Sequence, residues 1–179
     1  MQKTRVQFVR SGRSRRTRDG GFTIVELMIV LVILGVAAAI VVPMAGSAAP
    51  LQLRSAANMV AADLEYAKSL SITTGRNYRV SFDTTANTYE ILDPNGLAVS
   101  HPVTKKDRYL VSFSDDGRLD QVTIQSAVFG ATSEVRFDYL GTPYSSSSAL
   151  TSEGVVTLEA GGATRTVTVS AVTGLVSVH

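Results

Sequence analysis

The chain has 179 residues, a formal net charge of +2, two histidines and no cysteine. This length allows one domain and additional segments, and the lack of cysteine excludes a disulfide framework and a cysteine nucleophile. The sequence offers few candidate catalytic motifs, because it contains neither a Gly-x-Ser-x-Gly turn nor a phosphate-binding glycine loop.

The charge is unevenly distributed, because residues 1–21 hold seven basic side chains and one acidic side chain, Asp19. Without this segment the 17 basic and 15 acidic residues fall to 10 and 14, which is a net charge of −4. A basic segment ahead of an apolar one favours a cytoplasmic N-terminus. We therefore predict a cytoplasmic basic leader over residues 1–21, with the domain that follows the apolar segment in the periplasm.

An apolar run of 21 residues extends from Phe22 to Val42. As a helix it would be about 30 Å long, the thickness of a bilayer core, so we predict a transmembrane or assembly helix over residues 22–43. The run contains one charge, Glu26, and burying an unpaired carboxylate in a bilayer costs roughly 2.5–3.5 kcal/mol. Such a charge needs a partner, and cleavage between Gly21 and Phe22 would create an α-amino group one helical turn away.

The residues Gly21-Phe22-Thr23-Ile24-Val25-Glu26 resemble the type IV prepilin processing site that pilins and secretion-system pseudopilins share. The resemblance implies cleavage after Gly21 and N-methylation of Phe22 by the prepilin peptidase/methyltransferase of the inner membrane. It also implies that Glu26 acts in filament assembly with other pilin or pseudopilin subunits.

Two simpler interpretations of the N-terminus compete with this one. A secretory signal peptide could be cut within residues 45–49, which are small, but the apolar run exceeds the usual h-region of about 7–15 residues and contains Glu26. In a plain single-span anchor, Glu26 would lie close enough to the helix end for its carboxylate to reach the interface.

Two residues predict flexibility in the first helix. Pro43 lacks an N–H and its ring clashes with the preceding turn, so it ends or kinks the helix. In pilins a glycine and a proline in this region mark where the helix bends or melts on assembly, and Gly35 with Pro43 matches that pattern. Pro50 departs from it and argues against one continuous helix through residues 43–50.

From Leu51 onward, apolar residues recur at steps of three and four and predict an amphipathic helix within residues 44–75. The predicted stripe comprises Leu53, Ala56, Val60, Leu64, Ala67 and either Leu70 or Ser71. Asp63 is assigned to the polar side of this helix, and Gly75 is placed to cap its C-terminus.

After Gly75 the apolar period changes from 3.6 to 2, which predicts a β-rich domain over residues 76–179. Predicted strands are centred on Tyr78–Phe82, Tyr89–Ile91, Tyr109–Phe113, Val122–Ile124, Val135–Tyr139, Val155–Glu159, Thr166–Ser170 and Leu175–Val178. Gly161-Gly162 predicts a tight hairpin, Asp93–Gly96 a turn, and Ser145–Ser148 a flexible loop. The fold class is α+β and pilin-like: a long N-terminal helix, membrane-spanning in its first half, packs on antiparallel strands.

Several downstream segments are similar to the GspH/FimT group of minor pseudopilins. They are Ala62–Ser69 with Gly75-Arg76, Phe137–Pro143, and Thr173–Val176. The resemblance implies a minor pseudopilin of a type II secretion system. The alternatives are a type IV pilus minor pilin in pilus assembly or DNA uptake, and a membrane-anchored binding module that never assembles.

Other candidate sites point to simpler explanations. Asp115-Asp116-Gly117 with Asp120 lacks the spacing of a calcium loop and is typical of a solvated turn. Lys105-Lys106 with Arg108 is a short basic cluster, and ten basic residues among fourteen acidic ones argue against DNA as a partner. His101 and His179 are isolated in the sequence. We expect no enzymatic activity, cofactor or metal.

Overall fold

The computed structural model describes residues 21–44, 48–103, 105, 107–146 and 148–179. The chain divides into two compact units, residues 1–43 and 44–179. The predicted basic leader, apart from Gly21, lies outside the described residues.

The first unit contains helix α1, Ile24–Met44. Residues 21–39, the part whose side chains are described, are all exposed. A helix that is apolar on every side has no single face to pack on a core of its own. Within the described part of the chain, no helix combines the length and apolar character needed to cross a bilayer. The membrane span over Phe22–Val42 therefore stays a prediction.

The second unit begins with helix α2, Ala48–Thr74, which lies inside the range predicted for the amphipathic helix. Pro50 is its third residue, a first-turn position where the missing N–H costs no helical hydrogen bond. Gly75 has φ +67°, so it adopts the left-handed conformation of the predicted C-terminal cap. Helix α1 ends one residue after Pro43, and the residues between the helices are outside the described part.

The described residues of the second unit form ten strands in two antiparallel sheets. The six-stranded sheet has the order β3-β2-β1-β5-β6-β7, with strands β1 (Tyr78–Asp83), β2 (Thr88–Leu92), β3 (Leu110–Ser112), β5 (Glu134–Phe137), β6 (Pro143–Ser145) and β7 (Ser148–Ala149). The four-stranded sheet has the order β10-β9-β8-β4, with strands β4 (Thr123–Val128), β8 (Gly154–Ala160), β9 (Ala163–Val169) and β10 (Val176–Val178). The predicted α+β class is confirmed.

Two turns illustrate where the sequence was informative and where it misled. Gly161 and Gly162 both have positive φ, 58° and 78°, as a two-residue hairpin between β8 and β9 requires. The flexible loop predicted over Ser145–Ser148 is wrong at its two ends, because Ser145 pairs with Ser148 in the β6–β7 hairpin, and residue 147 lies outside the described part. The hydroxyl oxygen of Ser145 also lies 3.1 Å from that of Thr132, which ties the hairpin to the turn before β5.

The core lies where α2 contacts both sheets, through β1 and β5 of one and β8, β9 and β10 of the other. The predicted stripe is confirmed, because its five apolar members, Leu53, Ala56, Val60, Leu64 and Ala67, are at most 2% exposed. Ser71 is fully buried, and its hydroxyl donates to the Ala67 carbonyl and accepts from the Tyr78 amide. The end of α2 is thereby fixed to the start of β1.

Candidate functional site

The predicted processing segment lies at the start of α1. The carbonyl oxygen of Thr23 accepts from the Leu27 amide at 3.1 Å, which makes Thr23 the N-cap. Its hydroxyl accepts from the Glu26 amide at the same distance, as a serine or threonine N-cap does. Thr23 and Glu26 occupy the two positions of a capping box, a feature that the sequence analysis did not identify.

Glu26 is exposed on the first turn of α1, and no described residue forms an ion pair with it. A carboxylate there is favoured by the positive end of the helix dipole, typically by 0.3–1 kcal/mol at an exposed site. Its local role is therefore to help start the helix. This role leaves the carboxylate oxygens open to a second charge.

Phe22 precedes the helix and is 75% exposed. A Cβ atom added to Gly21 would meet no heavy atom within 4 Å, and the same holds for Gly35 in the middle of α1. The fold of the single chain therefore leaves room for a side chain at both glycines. If Gly21 is required, the requirement comes from a molecule that binds this segment.

The remaining predicted site residue, Pro43, is the penultimate residue of α1. It lies eight positions after Gly35 on the same helix. The structure thus places Gly21 and Phe22 just before α1, and Glu26, Gly35 and Pro43 within it. It neither tests cleavage nor shows a bend, so these roles remain predictions.

A second carboxylate, Asp63 of α2, was assigned to the polar side of the helix, and this assignment is wrong. Asp63 is only 8% exposed and accepts two hydrogen bonds of 2.6 Å, from the hydroxyls of Tyr89 and Tyr109. Tyr89 belongs to β2, and Tyr109 directly precedes β3. Asp63 therefore joins the helix to the six-stranded sheet.

Burial raises the pKa of Asp63 above its ordinary value, and the hydrogen bonds from Tyr109 and Tyr89 oppose that rise. Burial together with the carboxylate raises the pKa of both tyrosines, so the phenols stay protonated donors. The Tyr109 ring is flanked by His101 at 4.3 Å and Tyr66 at 5.9 Å between ring centroids. All partners of this carboxylate come from its own domain, which is typical of a structural role.

The carboxylates of the acidic turn after β3 are not gathered into one metal site in the described structure. Asp116 forms a salt bridge of 2.7 Å with Arg118, and this contact lowers the pKa of Asp116. Asp120 instead accepts a hydrogen bond from the Gln52 side chain. Within the described residues, no three histidine, aspartate or glutamate side chains are grouped to hold a metal ion.

The short basic cluster is partly neutralised, because Arg108 contacts the Glu90 carboxylate at 2.6 Å and 3.0 Å. Lys105 has φ +56°, a turn conformation, and residue 106 lies outside the described part. His179 pairs through its backbone with Thr166 of β9. These residues therefore form no continuous basic surface that the structure describes.

Two family models match the chain. The model described as the prokaryotic N-terminal methylation motif matches residues 16–42, which include Gly21, Phe22 and Glu26. The model described as type II transport protein GspH matches residues 56–174, more than half of the chain. No curated protein is similar enough to count as a match.

Two solved structures of similar fold are bacterial minor pilins or pseudopilins. The type IV minor pilin FimU of Pseudomonas aeruginosa has 19% identity and a TM-score of 0.48, over 73% of this chain and 90% of FimU. The minor pseudopilin EpsH of the Vibrio cholerae type 2 secretion system has 11% identity and a TM-score of 0.49, over 72% of this chain and 96% of EpsH. At these values the likeness places no site or partner on this chain.

Proposed function

We propose that this chain, which belongs to the GspH family of type II transport proteins, is a minor pseudopilin of a type II secretion system. In this role it is a low-copy structural subunit of the short periplasmic fibre that helps move folded proteins out of the cell. The observation that carries the proposal is the GspH match over residues 56–174, on a chain whose residues 16–42 match the methylation motif.

We infer the following topology and processing. The basic leader, residues 1–21, stays in the cytoplasm and is removed when the prepilin peptidase cuts between Gly21 and Phe22, after which the new amine of Phe22 is methylated. Residues 22–43 anchor the subunit in the inner membrane, and residues 44–75 and 76–179 form the periplasmic domain. The exposed apolar surface of α1 supports this arrangement, because such a surface needs lipid or other helices to cover it.

Assembly then transfers α1 from lipid into a bundle of similar helices. Lipid is as apolar as the bundle, so burial alone gives the transfer little direction. Opposite charges attract more strongly in a dry core than in water. Glu26 of one subunit and the α-amino group at Phe22 of another therefore favour one axial register. The amine stays protonated after methylation, so it keeps the positive charge that pairs with the Glu26 carboxylate.

The proposed role is structural and needs no catalytic residue, cofactor or metal. The rival role, a minor pilin of a type IV pilus that primes assembly or aids DNA uptake, uses the same N-terminal chemistry. The methylation-motif match does not separate the two, because the resemblance covers pilins and pseudopilins alike. The GspH match favours secretion.

A strain lacking this gene tests the proposal. We expect secreted enzymes to accumulate in the periplasm while piliation and transformation stay normal, with restoration by the wild-type gene. Normal secretion together with lost pili or lost DNA uptake would contradict the secretion role and assign the subunit to a pilus. Normal results in all three assays would contradict both.

A further inference from the structure

The outer face of the six-stranded sheet carries two arginines in direct cross-strand register. Arg79 of β1 pairs with Arg136 of β5, and the core-facing residue Val80 pairs with Val135 next to them. Side chains opposite each other in an antiparallel sheet are about 5 Å apart at Cβ, and like charges in that position are destabilising. A pair of this kind calls for negative charge nearby.

Among the described residues, a carboxylate compensates Arg79 but not Arg136, and it does so in part. The Arg79 Nη1 atom lies 3.5 Å from the Glu134 carboxylate, a loose salt bridge between side chains that are 34% and 30% exposed. The Arg79 Nε atom is buried and has no hydrogen-bond partner among the described residues. Arg136 forms no salt bridge with any described carboxylate.

Arg136 instead lies over an aromatic ring at the edge of a cleft. Its guanidinium carbon is 5.7 Å from the centroid of the Tyr144 ring, the range of a cation–π contact. Tyr144 is the cross-strand partner of Arg136, so the sheet register holds the two side chains together. Arg136 and Tyr144 line the cleft, of about 290 Å³, with Asn77, Asp138 and Tyr139.

The one carboxylate in the cleft is already engaged. Asp138 Oδ1 accepts hydrogen bonds from the Leu140 amide at 2.9 Å and the Thr142 amide at 2.8 Å. Asp138 therefore shapes the turn after β5 and forms no salt bridge with Arg136. The Arg136 guanidinium keeps its planar set of donors available, the geometry that pairs with a carboxylate in a bidentate way.

We propose that this cleft, formed by Arg136, Tyr144, Tyr139 and Asn77, binds a carboxylate-bearing peptide segment of another protein. Arginine and tyrosine are the residue types that carry most binding energy at protein interfaces, and Tyr139 is 59% exposed there. The chain without its leader has a net charge of −4. Attraction of an acidic segment must therefore be local, and Arg136, which lines the cleft and has no salt bridge with a described carboxylate, is the cation that supplies it. The proposal concerns the folded domain and does not depend on the proposed function.

The test uses the full chain in detergent micelles and fluorescence anisotropy of a short N-acetylated oligoglutamate peptide. An oligoglutamine peptide of the same length serves as the neutral probe, and a single-stranded oligothymidylate serves as the nucleic-acid probe. We expect the glutamate peptide to bind more tightly than the other two probes. Arg136→Gln should lower the affinity for this peptide about tenfold or more, because the charge pair is lost. Arg165→Gln, at an arginine of the other sheet, is the matched control and should leave binding unchanged.

A second variant guards against a folding defect in Arg136→Gln. Because Tyr139 is exposed, Tyr139→Ala should unfold at the same temperature as wild type. It should still bind the glutamate peptide more weakly than wild type. Equal binding of the two peptides, or equal effects of Arg136→Gln and Arg165→Gln, would overturn the proposal. The proposal would also be overturned if the oligothymidylate bound more tightly than the glutamate peptide and Arg136→Gln abolished that binding. The cleft would then be a nucleic-acid surface.

Discussion

Glu26 of α1 and Asp63 of α2 both lie among apolar residues of a helix, but the surroundings of the two carboxylates differ. Asp63 of α2 is buried and accepts two short hydrogen bonds from tyrosines of its own domain. Glu26 of α1 is exposed, and no described residue pairs with it. The first carboxylate is satisfied by the fold and stabilises it. The second can be satisfied only from outside the described chain, and we infer that this is where its function lies.

The largest expected effect is on processing, which creates the proposed partner of Glu26. We expect Gly21→Leu to leave only the uncut protein on an immunoblot, because a side chain there blocks close approach of the peptidase to the backbone. Gly35→Ala is the matched control, since both glycines have free space around them in the single chain. A normal mature band from Gly21→Leu would contradict this prediction.

The next effect is on assembly. Glu26→Ala should be cut normally but be lost from sheared or cross-linked fibres, because the charge that fixes the axial register is missing. Urea unfolding of the globular domain should not change, since Glu26 lies in the first unit and no described residue forms a salt bridge with its carboxylate. Normal amounts of the variant in fibres would show that Glu26 acts only as a helix-start residue.

Removal of the Asp63 side chain should lower the stability of the globular domain, which removal of the Glu26 side chain should leave unchanged. Asp63→Ala leaves two buried tyrosine hydroxyls without their acceptor, at a cost of roughly 1–3 kcal/mol each, so the free energy of unfolding should fall by several kcal/mol. Asn58→Ala, at an exposed position of the same helix, should stay within about 0.5 kcal/mol of wild type. An unchanged unfolding midpoint for Asp63→Ala would remove the distinction between the two carboxylates.

The smallest expected effect is a pH dependence. Because the folded-state pKa of Asp63 is raised above the ordinary 3.8, the folded chain holds this proton more tightly than the unfolded chain. The stabilisation that arises from this raised pKa is therefore fully present below pH 3.8 and is lost as the pH rises through the folded pKa of Asp63. The stability of wild type relative to Asp63→Asn should fall over that window. A relative stability that grows with rising pH would contradict the assignment.

The sequence alone predicts the parts of this fold that depend on local periodicity. The stripe of α2, the cap at Gly75 and the Gly161-Gly162 hairpin each need only neighbouring residues, and each is confirmed. Asp63 was missed because its partners are 26 and 46 positions away, in β2 and just before β3, and the sequence does not give the placement of these strands. One signal was available, since Asp63 falls three residues after Val60 and four before Ala67, on the buried face.

The other error concerns the loop predicted over residues 145–148, and its cause is local hairpin pairing that composition does not reveal. The serines of residues 145–148 have the composition of a loop, but Ser145 ends β6, which pairs with β5, and Ser148 pairs back with Ser145. For the N-terminal site the sequence supplied every candidate residue, and the structure added the N-cap role of Thr23. The proposed partner of Glu26, the α-amino group of Phe22 in another subunit, follows from the sequence motif and not from the fold of the single chain.

The most direct test of this account is the intact mass of the mature protein purified from its own membranes, with sequencing of its N-terminal peptide. We predict a chain that begins at Phe22 and carries one added methyl group on its amine. A chain that keeps residues 1–21, or one that begins within or just after residues 45–49, would contradict the account. In either case no amine would exist at Phe22 to pair with Glu26.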